Sequence, residues 1–283
     1  MKKILSILLC FIMLTTLAAC SGQKDIDVYD PDSPTKAGQS TNTQSSNTVK
    51  ITVPEGFTLL KIAWRLEEKG VCSADAFIDA AQNYDISKYE ILSSLEGKEN
   101  ICFLLEGYLF PATYSFEKNT DPTEVLDAMI SATQSKFSDT MLEQADKMGY
   151  SVHEILTVAS IVEKETYTEE QRTLVASTIY NRLDRNMRIE YDVTKKYCTG
   201  VIQTQYPDQI DHFKYYYNGY RCDGLIAGPI CNPGLACINA ALWPDETDYI
   251  YFIIDTEEPH HSAFAADYNE HLKNIKKWKN GEL

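Results

Sequence analysis

The chain has 283 residues, 44% of them hydrophobic, with 18 Tyr and 10 Phe, which is enough apolar mass for one large domain or two modest ones. Its formal charge of −15, from 41 acidic against 26 basic side chains, excludes nucleic acid as a partner, because such binding relies on Lys and Arg to neutralise phosphates. The same charge disfavours broad contact with anionic lipid headgroups.

The N-terminus has the layout of a secretory signal: Lys2 and Lys3, a mostly apolar run from Ile4 to Leu17, then Ala18 and Ala19 before Cys20. That run is shorter than the roughly 20 apolar residues a membrane span needs. The Leu17-Ala18-Ala19-Cys20 end resembles a bacterial lipobox, in which Cys20 is acylated and becomes the new N-terminus. Two acyl chains give stable anchoring. An ordinary cleaved signal with a chance cysteine is the alternative. Residues 1–20 thus read as a lipoprotein signal, which puts the remainder on the extracytoplasmic face of the bacterial cell membrane. Residues 21–49 are rich in Ser, Thr, Asn, Gln, Asp and Pro, and read as a disordered tether reaching roughly 30 Å.

Folded structure is expected from Lys50. Ile51 and Val53 alternate with polar neighbours as in a short strand, Thr58 opens a helix that closes at Gly70, and Ser73 opens a second. This β-α-α unit, residues 50–92, reads as a small lobe. Glu106 to Tyr114 is turn-rich. Asp121 and Pro122 start another helix, and Ser151 with Glu154 forms a capping box ahead of the next. Arg172 to Leu183 reads as helical. Ile189 to Gly234 is aromatic and irregular, a composition suited to site-building loops. Tyr249 to Ile254 reads as a buried strand, and Phe264, Tyr268, Leu272, Ile275 and Trp278 as the inner face of a closing helix. The fold class expected is α+β, with the small lobe joined to a larger mixed α+β catalytic domain over residues 93–283.

Six cysteines remain after Cys20: Cys72, Cys102, Cys198, Cys222, Cys231 and Cys237. They permit 15 complete disulfide pairings, and serve equally well as small buried hydrophobes. No spacing among them suits zinc, and no metal or cofactor is expected.

The stretch with most chemical content is Ile155-Leu156-Thr157-Val158-Ala159-Ser160-Ile161-Val162-Glu163-Lys164-Glu165-Thr166. At helical spacing its apolar side chains cover more than half the circumference, so both Glu163 and Glu165 fall within a largely buried arc. Burial raises a carboxyl pKa, and a carboxylic acid still protonated near neutral pH can donate to a glycosidic oxygen. A structural ion pair with Arg172 or Arg182 is the plainer reading. The helical wheel does not choose between the two glutamates.

Ser160 to Thr166 resembles the signature of the endolytic murein transglycosylases, the MltG or YceG-like family. Glu106 to Tyr114, Val175 to Leu183, Gly228-Pro229-Ile230-Cys231-Asn232-Pro233-Gly234, and His260-His261 through Phe264 to Glu270-His271 are similar to further family segments in the same order. Residues 50–92 resemble the family's LysM-like lobe. The resemblance implies cleavage of the β-1,4 bond between N-acetylmuramic acid and N-acetylglucosamine within nascent peptidoglycan glycan strands. The products carry 1,6-anhydromuramoyl ends, and strand elongation stops. It assigns proton transfer to Glu163 and a supporting role to Glu165. Asp192 and Thr194 match a groove-lining loop, which here carries Tyr191 for a small residue and Val193 for proline. Tyr217, Asn218 and Tyr220 match a YNTY segment of the family in which Gly219 replaces threonine; Tyr and Asn suit sugar recognition, and core packing accounts for a Tyr equally well. Asn232 is expected to hold a tight loop beside the site, and His261 to bond substrate or serve the fold. Expected partners are peptidoglycan strands, peptidoglycan synthases and the elongation or division machinery. A muramidase-type hydrolase using Asp192 to position water, and a catalytically silent glycan-binding lipoprotein, remain alternatives.

Overall fold

Polar caps set the helix starts across residues 47–283, the part of the chain that the computed structural model describes. The expected signal, Cys20 and the tether up to residue 46 lie outside the described residues. Strand β1 (Thr48–Thr52) begins two residues inside the segment read as tether, because its partner β2 (Thr113–Glu117) continues that far. The two run antiparallel, with Ile51 opposite Tyr114 and Val49 opposite Phe116. β2 falls partly within the segment read as turns, and it lies well beyond residue 92.

Between them, Thr58 caps α1 (Leu59–Glu68) and Ser73 caps α2 (Ala74–Gln82), each hydroxyl accepting from an N–H of the first turn. The first helix buries Leu59, Leu60, Ile62, Ala63 and Leu66. Asp121 then caps α3 (Pro122–Lys136), and Ser138 caps α4 (Asp139–Met148), which ends on Gly149 in the left-handed conformation.

The centre of the molecule is α5 (Val152–Glu165). Ser151 and Glu154 close the expected capping box, and every residue from Ile155 to Val162 is buried. α6 (Glu169–Asp184) packs beside it. α7 (Asp192–Tyr197) runs through a π-turn (Cys198–Ile202) into α8 (Gln203–Gln205), and α9 (Ile210–Tyr217) follows. The stretch read as irregular is therefore largely helical. Its helices are short and carry tyrosines where a periodic apolar stripe would otherwise stand. α10 (Leu235–Leu242) packs across α5 and α6.

The chain closes with a hairpin of β3 (Tyr251–Ile254) and β4 (Ser262–Ala265), covered by α11 (Tyr268–Lys279). β3 was expected to be buried, yet all four of its residues are half-exposed, because a groove runs along it. Phe264 belongs to β4 rather than to the closing helix, and α11 contributes no fully buried residue. The described residues thus form an α+β fold with two small sheets. All six described cysteines are free thiols, five of them buried. Among the described residues no helix is long and apolar enough to cross a membrane.

Candidate active site

The last turn of α5 carries Glu163, Lys164 and Glu165 to the surface, where Thr166 ends the helix. Glu165 stands at the waist of a groove with two chambers, of about 380 and 630 Å³, whose shared walls are Glu165, Asp192, Phe252 and His271. The smaller chamber adds Arg182, Glu190, Tyr220, Tyr251 and Tyr268. The larger adds Lys164, Lys196, Ile253, Ile254 and Trp278. Tyr268 and Trp278 are 58% and 43% exposed, so their rings present open faces to whatever lies in the groove.

Burial pushes the Glu165 carboxyl up to about 7; Lys196 and the Val193 N–H act against this, and Asp192 adds to it. The Val193 N–H exists because this chain lacks the proline expected there, which would have no donor. Asp192 in turn accepts a 3.0 Å hydrogen bond from the Tyr220 hydroxyl. Arg182 is buried and bound to the Glu190 carboxylate at 2.6 Å and to the Ile250 carbonyl at 2.9 Å, so it pairs with neither Glu163 nor Glu165. His271 is held below the ordinary histidine range by burial and by Arg182. Its ring stacks on Tyr251 at 4.9 Å, and its Nδ1 is buried without a partner.

Glu163 lies elsewhere. It lines neither chamber, and its Oε2 accepts from the Gly234 N–H at 3.0 Å. Gly56 lies beside it, where an added Cβ would stand 3.6 Å from Glu163 Cγ, and burial with the neighbouring Glu163 charge pushes the Cys237 thiol up. Burial, and then Glu163, also raise the Glu55 carboxyl, with Arg172 opposing. The expectation assigned proton transfer to Glu163 and support to Glu165. The geometry places the Glu165 carboxyl in the groove and binds that of Glu163 to the Gly234 loop. Two residues along a helix turn a side chain by about 200°, which separates their surroundings completely.

The remaining expectations divide. Asp192 lines both chambers of the groove. Thr194 does not, because it is fully buried; its hydroxyl donates to the Tyr191 carbonyl at 2.6 Å and accepts from Gly219 N–H at 3.0 Å, pinning α7 to the next loop. A Cβ at Gly219 would stand 3.1 Å from that hydroxyl and 3.2 Å from the Glu190 nitrogen, so glycine suits the close approach. Tyr217 is 1% exposed and packs with Phe213 on the inner face of α9, where no sugar reaches it. Its hydroxyl accepts from the Cys102 N–H at 3.0 Å. Asn218 turns the chain by accepting from the Tyr220 N–H at 3.0 Å. His261 is exposed and makes no side-chain hydrogen bond among the described residues. Its neighbour His260 is the one that stacks, on Tyr167 at 4.2 Å.

Asn232 ties its own loop to two others through its side-chain amide. Its Oδ1 accepts from the Gly107 and Leu109 N–H groups at 3.0 and 2.8 Å, and its Nδ2 donates to the Phe57 carbonyl and to Glu106 Oε1 at 3.0 and 2.9 Å. Glu106 also accepts from the Leu59 N–H at 2.9 Å and from the Tyr197 hydroxyl at 3.0 Å; burial nevertheless pushes its carboxyl up to about 8. Sequence reasoning did not single out Tyr251, Phe252, His271 or Trp278 as groove residues. A strand and helix rich in aromatics, each with only part of its surface to bury, was the available signal.

Residues 30–277 match the YceG-like family. The chain is 35% identical over 239 residues to an endolytic murein transglycosylase of Bacillus subtilis (strain 168), covering 81% of this chain and 65% of that protein. It is 30% identical over 278 residues to the endolytic murein transglycosylase of Streptococcus pneumoniae serotype 2 (strain D39 / NCTC 7466), covering 92% of this chain and 50% of that one. It thus spans between half and two thirds of the length of these relatives. A crystal structure of a yceG-like protein from Listeria monocytogenes superposes with a TM-score of 0.65 at 31% identity, over 79% of this chain and 74% of that one. Sequence match, relatives and shared fold agree that the chain belongs to the YceG-like family.

Proposed function

We propose that this protein is an endolytic peptidoglycan lytic transglycosylase in which Glu165, rather than Glu163, moves the proton. The observation that carries the reading is the Glu165 carboxyl, raised to about 7 at the junction of two aromatic-walled chambers. A glycan strand lying along the groove would place sugars on both sides of that junction, as cleavage within a strand requires. Tyr251, Phe252, Tyr268 and Trp278 supply ring faces for pyranoses.

Protonated Glu165 gives its proton to the glycosidic oxygen as the C1–O bond breaks. The resulting carboxylate then takes the proton from the muramoyl 6-hydroxyl as that oxygen bonds to C1, leaving a 1,6-anhydro end and a protonated Glu165. One carboxyl serves twice because the nucleophile belongs to the substrate. Burial, with a smaller push from Asp192, favours the protonated form of Glu165, and Asp192 stands beside the place where an oxocarbenium-like transition state would form.

The wider reading keeps the lipid anchor at Cys20, the extracytoplasmic location, and action beside peptidoglycan synthases and the elongation or division machinery. Glu165→Gln should lower turnover of purified glycan strands by about 10²–10⁴-fold with the fold intact. Glu163→Gln, which retains an acceptor for the Gly234 N–H, should lower it far less. The reverse order would return the acid role to Glu163. Mass spectrometry of the products separates this reaction, with anhydro ends, from a muramidase-type hydrolysis through Asp192, with reducing ends.

A further inference from the structure

The surroundings of Glu165 depend on one short element, α7. Asp192, Val193 and Lys196 stand with Glu165 in the wall of the larger chamber. All three act on its carboxyl: Lys196 and the Val193 N–H draw it down, and Asp192 pushes it up. At helical spacing these three residues share one face of α7, about 100° wide, while Thr194 and Tyr197 occupy the buried side. So short a helix has no stability of its own, and Tyr191 supplies no side-chain cap at its start. Its placement is therefore set by what the two buried side chains hold. Thr194 is bonded to the Tyr191 carbonyl and the Gly219 N–H, close to the helix itself.

Tyr197 reaches further. Its hydroxyl donates to Glu106 Oε2 at 3.0 Å, and both side chains are buried. Glu106 Oε1 accepts from the Leu59 N–H, at the first residue of α1, and from Asn232 Nδ2, each at 2.9 Å. One carboxyl thus joins the far end of α7 to the start of α1 and to the loop that carries Gly234. Neither Glu106 nor Tyr197 lines either chamber, so neither meets a strand lying in the groove. A buried hydrogen bond is directional and costly to leave unmade, which makes the link a brace against rotation of α7. We propose, on the role given above to Glu165, that Glu106 and Tyr197 are positioning residues: through α7 they hold Asp192, Val193 and Lys196 in place around the Glu165 carboxyl.

The test reads that carboxyl directly in the whole protein, by nuclear magnetic resonance of isotope-labelled glutamate side chains, with the Glu165 signal assigned by its loss from Glu165→Gln. Tyr197→Phe keeps the ring packed and removes the link. The two groups that draw the carboxyl down outweigh Asp192, so its titration midpoint should rise by about 0.5 pH unit, the effect of weakening one partly exposed charge contact. Glu106→Gln still offers the Tyr197 hydroxyl a partner, and should titrate at Glu165 as wild type does. Tyr197→Phe made in that background leaves no buried carboxyl short of a donor, and should show the same rise even where the single variant folds poorly. Tyr180→Phe removes a different buried hydroxyl, bonded to the Ala241 carbonyl at 2.8 Å between α6 and α10, and should leave the midpoint in place. A midpoint unmoved by Tyr197→Phe in both backgrounds, or moved equally by Tyr180→Phe, would overturn the proposal. The alkaline limb of kcat/KM on glycan strands should move with the carboxyl. A carboxyl that shifts as expected while Glu165→Gln cleaves strands at the wild-type rate would leave the brace standing and remove the catalytic reading instead.

Discussion

Glu163 and Glu165, at the end of α5, differ in their surroundings. On the proposed function Glu165 acts as an acid only while protonated, so turnover should fall as pH rises through about 7. Asp192 raises that value, so Asp192→Asn should move the fall to lower pH; a pH–rate profile of kcat/KM for both proteins measures it. Glu106 offers a stability counterpart. Its folded pKa of about 8 lies above the ordinary 4.5, so between these values the unfolded chain has released a proton that the fold retains. Stability therefore falls with rising pH across that window. Glu106→Gln keeps the acceptor for Leu59 and Asn232 without the charge. It should match wild type near pH 5 and exceed it at pH 8.5 by about 2–4 kcal/mol, read from urea unfolding. Sequence alone brought both α5 glutamates into view. It left their order open because a helical wheel reports direction and not the neighbours found there.

At the scale of elements, what was legible was what local chemistry fixes. Thr58, Ser73, Asp121 and the Ser151–Glu154 box start their helices as read, because a cap is decided within four residues. β2 was not legible: its five residues become a strand only through β1, some 60 positions earlier. Nor was the half-exposure of β3, whose apolar run faces a groove instead of a core. The segments that build the site meet equally tightly. A Cβ at Gly107, where φ is +89°, would stand 2.5 Å from Pro229 Cγ, so the two loops held by Asn232 touch at that glycine. Gly107→Ala should lower stability by about 2–4 kcal/mol, from strain and overlap together. Thermal unfolding would detect it, and a loss under about 0.5 kcal/mol would show that the loops can part at little cost.

For the whole molecule, the groove has walls of unequal standing. One is α5, in which every residue from Ile155 to Val162 is buried. The other is the β3–β4 hairpin with α11, a helix with no fully buried residue, yet the bearer of Tyr268, His271 and Trp278. Such an element has little to hold it down and should open locally at far lower free energy than the core. Amides of α11 should exchange with deuterium at least about 100-fold faster than those at the centre of α5, and slow when glycan is added. On the proposed function the protein acts in the middle of a long polymer, which it would not thread from an end. A loosely seated outer wall is the means by which a strand with no free terminus nearby could be admitted from the side.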